Sequence, residues 1–173
     1  MKHPLLKSIL CATALAATLA ASPAWAADSA SATLKTSDGK DAGTLTLQQT
    51  PNGVLVMGDF MNITPGWHAV HLHETGACEG DFTSAGGHFN PTGKEHGFDN
   101  PNGYHAGDMP NVYVGNDGKA QFNFLNVQFS LGDGDMSLAD SDGSAVIVHV
   151  GKDSYGKDAG AGAREACGVI TMK

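Results

Sequence analysis

Short runs in which apolar and polar residues alternate make up most of this chain. SATLKT at 31–36, GTLTLQ at 43–48, VLVMGDFM at 54–61 and WHAVHLH at 67–73 come first. NVYV at 111–114, AQFNFLNV at 120–127, SAVIVHV at 144–150 and CGVITM at 167–172 follow. Alternation with period two places every second side chain on the same face of a strand. The spacers SDGK, TPNG, GNDG and DSDG consist of residues that adopt turn conformations. No long segment carries helical periodicity. The pattern predicts an all-β protein of eight antiparallel strands in a sandwich or flattened barrel.

Two connections exceed what a minimal sandwich needs: residues 74–110, packed with Gly, Asn, Asp, Pro and His, and the Gly-rich stretch 151–166. Loops of this length without secondary structure are functional or disordered. The first holds Phe82, Phe89, Phe98, Tyr104 and Cys78 together with three histidines. Such a composition argues for an ordered loop fixed by something stronger than turns.

The start of the chain is set apart. MKHPLLK is basic, an apolar run follows from Ile9 to about Ala21, and SPAWA places Ala24 and Ala26 in the arrangement read before cleavage. The run is shorter than the roughly 20 apolar residues of a membrane span. Residues 1–26 read as a cleaved export signal and 27–173 as one domain, with no membrane attachment after cleavage. The mature chain keeps eight basic against eighteen acidic residues, a formal charge of −10. So acidic a surface argues against nucleic acid as a partner. Cys78 and Cys167 remain, and an even pair in an exported chain is expected as a disulfide; free thiols and soft metal ligands are the alternatives. A bridge would close a loop of about 90 residues and stabilise by about 4–5 kcal/mol in the chain-entropy account.

Seven histidines remain in the mature chain: His68, His71, His73, His88, His96, His105 and His149. His71 and His73 are two apart, so on a strand both imidazoles enter one space. His149 closes the apolar run AVIV, and a neighbouring strand can bring it to the same place. His88, His96 and His105 lie in the long loop, with Asp108 three residues after His105. A clustering of this kind points to metal, and the ligands are too many for one tetrahedral site. His88, His96, His105 and Asp108 suit a closed zinc site that also pins the loop. An imidazole set with His71, His73 and His149 suits copper.

HAVHLH at 68–73, GGHFNP at 86–91, HAGD at 105–108, the VIVHVG around His149 and GAREACGVI at 162–170 resemble the copper–zinc superoxide dismutases over most of the mature chain. The resemblance implies an eight-stranded Greek-key β-barrel, immunoglobulin-like in layout, with one copper and one zinc ion per subunit. It implies copper on His71, His73, His88 and His149, zinc on His88, His96, His105 and Asp108, and a bridge between them through His88. Asp153 matches a carboxylate that accepts bonds from His73 and His96. His68 matches a histidine that ties loops together, and Cys78–Cys167 matches the family disulfide, clamping the metal loop to the last strand.

The implied reaction is the disproportionation of superoxide, with copper alternating between Cu(II) and Cu(I) and His88 releasing copper to carry a proton. Arg164 matches the arginine that holds the anion beside the metal. Lys152 and Lys157 are candidates for steering that anion against the net negative charge. The segment from His149 to Arg164 is shorter than is usual in the family, and HAVH stands where HGFH is commoner. A copper carrier would need neither Arg164 nor a closed zinc set, and a zinc hydrolase would need an open coordination position. The expected setting is the periplasm. Family members dimerise through different surfaces or stay monomeric, which leaves a homodimer open.

Overall fold

The computed structural model describes residues 29–173; the expected export signal lies outside them. Ten strand segments form: β1 Ser29–Thr36, β2 Asp41–Thr50, β3 Gly53–Phe60, β4 Gly66–His68, β5 Val70–His73, β6 Val112–Val114, β7 Ala120–Asn126, β8 Ala145–His149, β9 Arg164–Val169 and β10 Thr171–Met172. All their pairings are antiparallel. The main sheet runs β5-β8-β9-β1-β2-β3-β7, with β10 also on β1. β4 and β6 pair separately. The order departs from chain order at β5/β8, β9/β1 and β3/β7, so three ladders join strands distant in the chain, as Greek-key crossings require. One short 3-10 turn, Thr83–Ala85, interrupts the long loop. Among the described residues no helix is long and apolar enough to cross a membrane.

The eight predicted runs all carry strand, but two are divided. The run 67–73 breaks at Ala69, whose N–H donates to Gly151 O at 2.8 Å and whose carbonyl accepts from His149 N–H at 2.9 Å. β4 before it pairs with β6, and β5 after it pairs with β8. The chain changes partners within one residue and turns a barrel corner. At the end of the chain Ile170 leaves the ladder to donate to Ser144 O at 2.9 Å, which separates β9 from β10. Residues 127–144 form a third irregular connection that the alternation pattern did not single out.

Alternation decides what each face buries. Val70 and Leu72 of β5 and Val146 and Val148 of β8 join Leu34, Leu45 and Phe60 in the main core. Ala145 and Ile147 point the other way, into a smaller cluster with Phe82, Ala85 and Cys167. β8 is therefore buried on both faces, which accounts for its unbroken apolar run. Cys78 and Cys167 are joined as a disulfide with Cα atoms 5.8 Å apart, tying the long loop to β9. The same loop also docks by backbone: Phe89 N–H donates to Leu72 O at 2.8 Å, and Leu72 N–H to Gly107 O at 2.9 Å.

Candidate metal centre

The outward face of β5 carries His71 and His73, both fully buried beneath the loops. His149 reaches the same space from the end of β8, where a register shift after Val148 sets it opposite Arg164. His88 joins through an isolated bridge to His73. Ring centroids of His88 stand 4.0 Å from His71 and 5.0 Å from His73, and His149 stands 5.0 Å from His71. One candidate ligand atom from each of the four lies within 4.8 Å of the others.

His71, His73 and His149 each have one nitrogen engaged and one free. Nε2–H of His71 donates to Asp153 Oδ2 at 2.7 Å, Nδ1–H of His73 to Gly86 O at 2.9 Å, and Nδ1–H of His149 to Gly162 O at 3.2 Å. Because the oxygens can only accept, these bonds set the tautomers. The opposite atoms, His71 Nδ1, His73 Nε2 and His149 Nε2, are buried without a hydrogen-bond partner. Buried unpaired nitrogens are costly unless something takes their lone pairs. Burial also holds the rings neutral, pushing His73 down to about 2 and both His71 and His149 down to about 4. Neutral imidazoles with convergent lone pairs are what a metal requires.

A second group belongs to the loop. Asp108 Oδ1 lies 2.8 Å from His88 Nδ1 and 3.4 Å from His105 Nδ1, and its Oδ2 lies 2.9 Å from His96 Nδ1. The two nitrogens of His88 and His105 are 3.3 Å apart. A tetrahedron with bonds of about 2.0–2.1 Å has edges of about 3.3–3.4 Å, so the spacing suits a small cation bound by four ligands. Burial would raise Asp108, but His105, His88 and His96 hold it well below the usual carboxylate range. His96 is opposed by burial yet raised to about 9, because Asp108 and Asp153 flank its two nitrogens. Positive charge is stabilised at this point whether a proton or a metal supplies it.

The expected bonds of Asp153 need one correction. It joins His71 and His96, the latter at 3.1 Å to Oδ1, and not His73. His73 is unavailable because its Nδ1–H is spent on Gly86 O. Asp153 still links one histidine of each group, and these two bonds outweigh burial to lower its pKa. His68 is buried apart from both groups, its Nδ1 2.7 Å from His149 O and its Nε2 2.7 Å from Thr64 O. It braces β4 against the end of β8. The Arg164 guanidinium bonds Phe82 O through Nη1 and Gly86 O at 2.6 Å through Nη2. Its side chain lines a cleft of about 470 Å³ with Ser37, Asp81, Thr83, Gly162 and Ala163.

Comparison with known proteins places these features. The model of the copper/zinc superoxide dismutase family matches residues 41–170. The chain is 45% identical over 148 residues to the Cu-Zn superoxide dismutase of Caulobacter vibrioides, which covers 82% of this chain and 85% of that one. The chain belongs to the copper/zinc superoxide dismutase family. The crystal structure of a SOD-like protein from Bacillus subtilis has a TM-score of 0.77 at 38% identity, covering 80% of this chain and 96% of that one. The Cu/Zn superoxide dismutase from Brucella abortus gives 0.66 at 29%, covering 83% and 99%. The β-barrel is therefore the fold of the family. The free nitrogens of the strand group suit copper, and the compact carboxylate-bearing loop group suits zinc, the two metals this dismutase family uses.

Several contacts in this dismutase have no signature in the sequence. Asn111 grips the Asp153 backbone twice, its Nδ2–H donating to Asp153 O at 2.9 Å and its Oδ1 accepting Asp153 N–H at 2.7 Å. Tyr155 N–H donates to Asp153 Oδ1 at 2.7 Å, and Tyr155 Oη accepts from Asn111 N–H at 2.7 Å. The anchors of Arg164 are backbone carbonyls, which any residue supplies. Lys157 forms an ion pair with Glu95 at 2.6 Å, so its charge is already answered.

Proposed function

We propose that residues 27–173 form the mature enzyme, an exported superoxide dismutase. In this reading His71, His73, His88 and His149 hold copper, while His88, His96, His105 and Asp108 hold zinc. The observation that carries it is the set of three buried, unpaired nitrogens converging beside a carboxylate-centred group, with His88 common to both. Bound in the strand group, copper supplies the one-electron couple, Cu(II)/Cu(I), that oxidises one superoxide to O₂ and reduces a second, with two protons, to H₂O₂.

The residues provide the rest. Arg164 presents fixed N–H donors and a permanent positive charge, and it holds the small anion at the site while its backbone anchors prevent it from swinging out. His88 is engaged at Nδ1 by Asp108, so its Nε2 is the atom that takes up a proton and passes it to the reduced oxygen species. Asp153 orients His71 and His96 together, so that the two groups keep one geometry. His68 keeps the end of β8, and with it His149, in place.

Export to the periplasm is supported by the Cys78–Cys167 disulfide, which suits an oxidising compartment, and by the leader-like sequence of residues 1–26. N-terminal sequencing of the secreted protein is expected to begin at Ala27. The decisive experiment reconstitutes metal-free mature protein with copper and zinc, counts the ions, and follows superoxide decay by pulse radiolysis. One ion of each per chain with fast catalytic decay is the expected result, and decay is expected to slow in an Arg164→Ala protein. Full occupancy without catalysis would reassign the ligands to copper handling.

A further inference from the structure

Gly86 and Gly87 sit just before His88, and two glycines in a row leave the backbone there little constrained by itself. Gly86 has φ 73° and ψ −150°, a conformation open essentially to glycine alone. Its carbonyl nevertheless has a demanding placement. It accepts Nη2–H of Arg164 at 2.6 Å and Nδ1–H of His73 at 2.9 Å. One oxygen thus fixes the guanidinium and also the tautomer that leaves His73 Nε2 free.

Glu74, the residue after His73, holds this peptide on two sides. Its backbone N–H donates to Gly87 O at 3.0 Å, and its Oε1 accepts Gly87 N–H at 2.8 Å. Its side chain also fills the space over Gly86, where a Cβ would lie 2.7 Å from Oε1 and 2.9 Å from Cγ of Glu74. No cation pairs with Glu74 among the described residues, and the cleft it lines also holds Asp135, Asp140 and Asp142. An acidic side chain in acidic surroundings, bonded to a backbone N–H, is placed for its acceptor and not for an ion pair.

We infer that Glu74 is a positioning residue for dismutation: by clamping Gly87 it aims the Gly86 carbonyl at Arg164 and His73. The inference rests on the roles proposed above for those two residues. It requires only an acceptor at Oε1, so glutamine serves and alanine does not.

The test compares wild type, Glu74→Ala, Glu74→Gln and Arg164→Ala as copper- and zinc-loaded proteins. Azide affinity of the Cu(II) form, read from its visible spectrum, reports the anion-holding geometry. Amide exchange at Gly87 and the His73 Nδ1–H resonance, read by NMR on the reduced form, report the clamp directly. Glu74→Ala is expected to weaken azide binding by about fivefold, the scale of one net hydrogen bond, and to speed exchange at Gly87 by at least as much. Glu74→Gln is expected to stay within about twofold of wild type on both readouts. Should Arg164→Ala leave azide affinity unchanged, the role of Arg164 falls and this inference falls with it. A loss in Arg164→Ala without one in Glu74→Ala overturns the clamp alone. Equal losses in the alanine and glutamine variants would also overturn it, since charge would then be the cause. If the alanine variant fails to fold, the wild type still decides, because rapid exchange at the solvent-exposed Gly87 amide would deny the bond.

Discussion

The two ligand groups meet at His88 but are built on opposite principles. His71, His73 and His149 stand on adjacent strands, where register fixes their backbones and burial keeps their rings neutral. His96, His105 and Asp108 stand on a loop with no ladder of its own, and charge organises them: Asp108 also accepts the N–H groups of Gly97 and His105, at 3.2 and 3.0 Å. A sheet can present ligands in advance of the metal. A loop must assemble them through carboxylates, cross-links and whatever cation arrives. Two metals held as proposed would therefore bind to surroundings of unlike construction.

The largest effect expected from this contrast falls on the loop. Replacing Cys78 and Cys167 by serine frees one of its anchors, and unfolding in denaturant should show a loss of about 4–5 kcal/mol. Zinc affinity should fall more than copper affinity; an equal fall would place the strand group on the same footing as the loop and break the comparison.

Acid should find the strand group. Histidines depressed in the fold take up protons in the unfolded chain first, so metal-free protein loses stability as pH falls from about 6.5 toward about 4. His71 and His149 should each contribute on the order of 3 kcal/mol to that loss, measurable by denaturant titration across the window. His96 acts with the opposite sign. Its raised value stabilises metal-free protein below about 6.5 and is lost as pH rises through about 9.

Asp153 spans both groups and gives the sharper test. An Asp153→Asn protein should lose about 10–100-fold in affinity for copper and zinc together, read by competition with chelators. Loss for one metal only would show that the two groups are oriented independently. The smallest effect is expected from Lys157→Ser. Since Glu95 already pairs with Lys157, the ionic-strength dependence of the rate should barely move.

The strand group was legible because period-two alternation carries geometry: His71 and His73 had to share a face, and a neighbouring strand could bring His149, at the end of AVIV, to the same place. Of the loop group, residue type and clustering put His88, His96, His105 and Asp108 forward as one zinc set, but the sharing of His88 came only through the resemblance, since spacing alone cannot trace an irregular loop. The partner of Asp153 was misread as His73 for a related reason. Both histidines point outward from β5, and the choice between them depends on which carbonyl occupies Nδ1 of His73, a contact with no residue code. The change of ladder at Ala69 and the carbonyls that hold Arg164 escaped for the same cause. They are backbone events, and sequence patterns describe side chains.

One consequence concerns solubility. β5 ends the main sheet, and the outer N–H and C=O of Leu72 are satisfied by Gly107 and Phe89 of the ligand loop. An uncovered edge is a template on which further chains can add as strands. The loop proposed to hold zinc thus also acts as an edge guard. Protein that fails to acquire its metals, or whose loop is cut, stands to lose colloidal stability along with activity.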